Sequence, residues 1–261
     1  MYCIKVMNEN GCTQALERGE EEISLVYTAE YHEGDQILIE TSGESDFLWI
    51  QLDDALGESL NYLKGDYEYH IPFGEMRNNL SPKTFSGNKH LIHLKKAKDY
   101  EIASYRNLAF NVNDSHENSS CYPHASANVE TRGESVFAAK NAIDGITANT
   151  SHGTWPYASW GINRDPKAAL TLDFGREVEI DCITLCLRAD FPHDNWWKRA
   201  KITFSDDSSM NIDLQKTASE QEFHFEKKKI SCLKLQDLIP SDNPSPFPAL
   251  TQIEVYGKDS I

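Results

Sequence analysis

No stretch of this chain sustains an apolar period of 3.6 residues beyond a turn or two, and that absence most constrains the fold. Parallel α/β architectures need long amphipathic crossover helices, so they are excluded. Short runs alternate instead between apolar and polar residues. Gln36-Ile-Leu-Ile-Glu40 and Tyr67-Glu-Tyr-His-Ile71 are clear cases. Half-buried antiparallel strands produce this period of two, because successive side chains leave opposite faces of a sheet. Clusters such as Glu33-Gly-Asp35, Ser42-Gly-Glu44 and Ser86-Gly-Asn88 read as the turns between them. The expected fold class is all-β, with two tandem β-sandwich (jelly-roll) domains.

In the first part, strands are expected at 3–7, 23–31, 36–41, 47–52, 59–63, 67–71, 90–95 and 101–105. The segment 107–126 is polar and turn-rich and reads as a linker. It suggests an N-terminal domain over 1–105 and a C-terminal domain over 106–261. In the second part, strands are expected at 168–174, 178–188, 201–204, 210–214, 222–225, 230–235 and 250–256. Ala138, Ala139 and Ala142 favour a helical turn or two over 136–143.

The chain carries 25 Lys and Arg against 41 Asp and Glu, a formal net charge of −16. Nucleic-acid binding needs clustered basic residues, so it is not expected. Docking on anionic lipid by charge is not expected either. No stretch approaches the roughly 18 apolar residues of a membrane span. The start, Met1 to Asn10, lacks a basic region followed by a long apolar run, so the reading expects a cytoplasmic protein. The six cysteines show no Cys-x-x-Cys pair for zinc or redox chemistry. Cys182 and Cys186 lie roughly 13 Å apart along an expected strand, too far to bridge. Buried free thiols are therefore expected.

Two loop segments combine aromatic with polar residues. The first is Ser151-His-Gly-Thr-Trp-Pro-Tyr-Ala-Ser-Trp-Gly-Ile-Asn-Arg164 and the second is Arg188-Ala-Asp-Phe-Pro-His-Asp-Asn-Trp-Trp-Lys198. Four of the five Trp fall between 155 and 197. Sugars need such a mixture, because their C–H faces pack on aromatic rings and their hydroxyls need fixed donors and acceptors. The expected ligand residues are Trp155, Tyr157, Arg188, Asp190, His193, Asp194, Asn195, Trp196 and Trp197. Trp196 and Trp197 are adjacent, so an extended backbone sends them to opposite faces and one of them packs. Arg188, His193 and Asp194 have a second reading as a structural ion-pair cluster under the loop. Phe247, in Pro244-Ser-Pro-Phe-Pro248, would flank the same face.

Motifs of established catalytic mechanics are absent from the sequence, including His-Glu-x-x-His, Gly-x-Ser-x-Gly and phosphate-binding glycine loops. His90 and His93 are three apart on an expected strand and so face opposite sides, against a shared metal. Glu20-Glu-Glu22 and Asp53-Asp54 read as solvated turns.

Residues from about 107 to 257 resemble the discoidin family, the coagulation factor 5/8 type C domains, which includes sugar-binding modules. Ordered landmarks carry the resemblance: Asn107-Leu-Ala109, Ala142-Ile-Asp-Gly145, Ala168-Ala-Leu-Thr-Leu-Asp-Phe-Gly175, Ile180–Leu187, Ile202-Thr-Phe-Ser-Asp-Asp207 and Leu250-Thr-Gln-Ile-Glu-Val-Tyr-Gly257. The resemblance implies a galactose-binding-like jelly roll of eight strands, with a binding face made by loops at one end. It implies that Trp160 is buried. It also implies a structural calcium at the Asp-Gly loop, held by Asp144, the Ile146 carbonyl, Asn149 and Glu254, with a carbonyl from Lys140 or Asn141. Asp144 capping its own turn is the competing reading. The chain departs from the coagulation-type pattern, because Cys121 has no cysteine near the C-terminus to pair with. The expected function is non-catalytic carbohydrate binding. The alternatives are a protein–protein adaptor using the same loops and a sugar-acting hydrolase or lyase. The expected partner is a carbohydrate, with no nucleic acid and no membrane; assembly as a homo-oligomer stays open.

Overall fold

The computed structural model describes residues 1–260. The first sandwich packs two antiparallel sheets. One runs in the order β2 (Thr13–Gly19), β1 (Tyr2–Met7), β4 (Gln36–Glu40), β7 (Tyr67–His70). The other contains β3 (Glu22–Tyr27), β5 (Ser45–Gln51), β6 (Ser59–Lys64) and β8 (His90–Lys96), in the order β6-β5-β8-β3. Alternation sets the faces: in β3, Ile23, Leu25 and Tyr27 are buried while Glu22, Ser24 and Val26 face out. The inward rows of both sheets form one core around Ile4, Ile37, Ile39, Leu48, Ile50, Tyr67 and Tyr69.

The second sandwich is built on long strands. Its sheet follows the order β12 (Trp160–Gly161), β17 (Ala249–Asp259), β13 (Leu170–Leu187), β16 (Gln221–Pro240), β14 (Trp197–Phe204), β15 (Ser209–Asp213). Two short strands join it: β9 (Arg106–Asn107) pairs with β17, and β11 (His124–Ala127) pairs with β13. The expected strand pair 168–174 and 178–188 is one strand, β13, whose pairing with β16 breaks between Asp173 and Val178. Gly175 sits in that break with φ +67, where a Cβ would lie 2.4 Å from the Tyr122 ring. Only glycine suits both the conformation and the contact. The core contains Trp160, Trp197, Phe174, Leu185 and Ile253.

Several local expectations need correction. The strand expected at 101–105 is instead a single helical turn, α1 (Asp99–Ile102), closed by the Lys98 N–H donating to Glu101 Oε2 at 2.7 Å. That side-chain cap, with the Glu101 N–H donating to the Lys98 carbonyl at 2.9 Å, outweighs a weak alternation. Strand β2 escaped the reading because it is an exposed edge with no apolar row. Asp53 is not solvated: it is 1% exposed and hydrogen-bonded to His90 Nδ1 at 3.2 Å. His93 meets Glu22 and Glu58 instead.

The segment read as a linker is a buried joint. Its strand β10 (Cys121–Tyr122) pairs with β6, and Cys121 lies in the first core. Asn113 donates its amide to the Ile50 carbonyl at 2.9 Å and to Ser59 Oγ at 2.9 Å. Tyr67 donates its hydroxyl to the Asn113 carbonyl. Buried asparagines satisfy backbone groups that strands leave open, so polarity here marks a hydrogen-bonded seam. Arg176 of β13 lies 4.9 Å over the Phe47 ring across the same seam. The cysteines are free thiols; Cys3, Cys121, Cys182 and Cys186 are buried and Cys12 is exposed. No helix among the described residues is long and apolar enough to cross a membrane.

Candidate ligand site

The loop after β13 is organised around one carboxylate. Asp194 is fully buried and accepts from Arg188 Nε at 2.9 Å and Nη2 at 2.5 Å. It also takes the Asp190 N–H at 2.9 Å and lies 3.0 Å from His193 Nδ1. A bidentate guanidinium plus a backbone donor satisfies a buried charge that would otherwise be costly. Asn195 extends the scaffold: its amide donates to the Asn243 carbonyl at 3.1 Å and the Ser245 carbonyl at 2.9 Å. Asp194 and Asn195 therefore hold two loops together and lie beneath the surface.

That joining creates a cleft of about 380 Å³, within the size range of ligand pockets. His152, His193 and Phe247 form its shelf. The His152 and His193 rings stack at 4.1 Å with planes 5° apart, and His193 and Phe247 at 5.2 Å with planes again 5° apart. Asp190 fixes the outer ring, its Oδ2 lying 2.6 Å from His152 Nδ1. Arg132, Arg164 and Arg188 complete the lining with the Asn163 and Ile162 turn.

The nine expected ligand residues separate. Arg188 and His193 line the cleft, and Asp190 orients His152 at its edge. Trp197 is completely buried in the core, and Trp196 packs half-buried against Phe191 and beneath Lys216. Trp160 is in the core, its indole N–H donating to the Val129 carbonyl at 3.0 Å. Trp155 is 39% exposed but lines a different, smaller cleft of about 80 Å³ between the sandwiches, where its backbone N–H donates to the Asn78 carbonyl. Tyr157 is half-buried and lines neither cleft. Sequence reasoning missed Arg132, Arg164 and the role of His152 on the shelf. The one available signal was Asn163-Arg164 ahead of a strand, which suits a tight turn.

His152, Asp190 and His193 present potential metal-ligating atoms within 4.8 Å of one another. An imidazole lone pair lies in its ring plane, and two parallel stacked planes cannot share one ion. The cluster is a stacked pair with a carboxylate anchor. The Asp-Gly loop also departs from the expected calcium cage. The Gln252 amide nitrogen lies 2.6 Å from both the Asn141 carbonyl and Asp144 Oδ1, while Gln252 Oε1 accepts the Gly145 N–H at 3.0 Å. An N–H₂ donor thus occupies the point where those oxygens converge, which is where a hard cation ligated by them would sit. Asn149 instead donates to the Leu187 and Ala218 carbonyls, and Glu254 accepts from the Tyr256 hydroxyl. The residues present do not assemble the cage. Asp144 does cap its own turn, accepting the Ile146 N–H at 2.8 Å, and burial pushes its carboxyl up to about 7.

In comparison with known proteins, residues 124–236 match the model of the F5/8 type C domain family. No curated protein matches the chain. Solved structures similar to it include a point mutant of chitosan-binding module 1 from a chitosanase/glucanase of Paenibacillus sp. IK-5, at 16% identity and a TM-score of 0.42, covering 59% of this chain and 100% of that one. A fucose binding module of Streptococcus pneumoniae is 14% identical with a TM-score of 0.43, covering 59% and 98%. A family 32 carbohydrate-binding module from C. perfringens NanJ, in complex with galactose, is 16% identical with a TM-score of 0.37, covering 51% and 91%.

Proposed function

We propose that this chain, which carries an F5/8 type C domain, binds carbohydrate without catalysis in the cleft at Phe247. One observation carries the reading: a shelf of parallel planar rings stands in an open cleft ringed by hydrogen-bond donors. A pyranose presents apolar C–H groups that pack along the edges of this stack and on the outer face of His152, while Arg132 and Arg164 reach its hydroxyls from the rim. The scaffold is preorganised, because Asp194 and Asn195 lock both loops before any ligand arrives. Glycosidic cleavage needs two carboxyl groups free to act across the bond. Asp190 and Asp194 are instead engaged by His152 and Arg188, which supports a binding role. The test is a glycan panel applied to the wild-type chain and to Phe247→Ala. Binding by the wild type that weakens about tenfold in the variant is expected; binding that the variant retains in full overturns this placement.

A further inference from the structure

The cleft's charge narrows the class of sugar it takes, an inference that rests on the carbohydrate reading. The chain as a whole carries −16, yet the lining brings together Arg132, Arg164, Arg188, His152 and His193 with no Asp or Glu. The three arginines are not equivalent. Arg188 is neutralised by the buried Asp194. Arg132 is held by Glu134, with Nε and Nη2 at 2.5 and 2.7 Å from its carboxylate oxygens. Arg164 makes no ion pair among the described residues, and its guanidinium lies 4.7 Å over the Phe247 ring. A second observation concerns how Arg164 is delivered. It occupies a turn closed by the Asp165 N–H donating to the Ile162 carbonyl at 2.8 Å. Both central residues have positive φ, 47 for Asn163 and 60 for Arg164. Asn tolerates that conformation; a long side chain adopts it at a cost. Thr131 Oγ1 holds the turn by accepting the Asn163 N–H at 2.9 Å. Backbone strain is thus spent on setting an uncompensated cation against the aromatic shelf.

We propose that the cleft takes an anionic saccharide, with its carboxylate or sulfate against Arg164 and its ring lying along the edges of the His152, His193 and Phe247 stack. A guanidinium favours an anion over a hydroxyl by a charge-assisted hydrogen bond. The chain's overall negative charge repels anions at long range, so the preference comes from local contact.

The test is calorimetric titration of the full chain with four probes: trigalacturonate, its methyl ester, galactose 6-sulfate and galactose. The acidic member of each pair is expected to bind about tenfold more tightly than its neutral counterpart. Preference for trigalacturonate alone or for the sulfate alone identifies which anion the cleft takes. Arg164→Asn, which puts a residue better suited to positive φ there, is expected to bring the acid-to-neutral ratio toward one with a Tm no lower than wild type. Equal binding of acidic and neutral sugars by the wild type overturns this inference and leaves the carbohydrate reading standing. An undiminished preference in Arg164→Asn overturns the assignment to Arg164. If no saccharide binds, charged or neutral, the carbohydrate reading fails and this inference fails with it.

Discussion

The cleft at Phe247 and the cleft between the sandwiches are both edged by loops of the second sandwich, yet the protein satisfies them differently. Between the sandwiches, most polar groups find partners within the chain, although Asn79 Oδ1 and Asn113 Oδ1 are buried without one. Asp114 takes the Asn118 amide at 2.8 Å, the Ala125 N–H at 2.9 Å and a contact from His124 at 2.8 Å. Asp144 takes Gln252 and Ile146. Asn79 donates to Asn141 Oδ1 at 2.8 Å across the seam. At Phe247 the ion pair of Asp194 with Arg188 lies behind the surface, and the guanidinium groups of Arg132 and Arg164 face outward beside the ring stack. Internal pairing cements a joint. Outward-facing donors over a rigid shelf leave hydrogen bonds for something else to make. Exposed Trp155 belongs to the cleft between the sandwiches.

Breaking the scaffold beneath the Phe247 cleft should have the largest effect. Asp194→Ala leaves the buried Arg188 guanidinium unpaired and is expected to cost about 3–5 kcal/mol in chemical denaturation. A loss below 1 kcal/mol would show that Asp194 is not the hub. At the seam, Gly175→Ala forces a Cβ onto the Tyr122 ring at positive φ and is expected to cost about 1–3 kcal/mol. It should weaken sugar binding little, since the seam does not line the cleft. The Asp-Gly loop offers a smaller effect. The wild-type Tm is expected to be the same with calcium or a chelator, because Gln252 already bridges the loop oxygens. Gln252→Glu replaces that donor with a carboxylate oxygen, so its Tm should fall without calcium and recover with it. A calcium-dependent wild-type Tm would refute the amide bridge.

Much of this fold is written in periodicity. Strands such as Gln36–Glu40 and Tyr67–His70 bury alternate residues, and alternation is local information. Strand β2 was not legible, because an exposed edge carries no apolar row. The seam was not legible either: Asn111, Asn113 and Asp114 are buried for their hydrogen bonds, and composition alone makes them resemble a loop. Both ligand segments stood out by composition, but the direction of each side chain depended on tertiary partners. Adjacency put Trp196 and Trp197 on opposite faces, and the structure buries Trp197 fully. The fixing of Arg188 by a carboxylate six residues on, and the strained turn bearing Arg164, exist only once the loops have folded.

The comparison of the clefts is tested most directly by titrating a bound glycan into three proteins: wild type, Phe247→Ala and Trp155→Ala. Phe247→Ala is expected to lose about tenfold in affinity, and Trp155→Ala to stay within about twofold of wild type. Loss confined to Trp155→Ala, with Phe247→Ala unaffected, would place the ligand between the sandwiches and contradict this account.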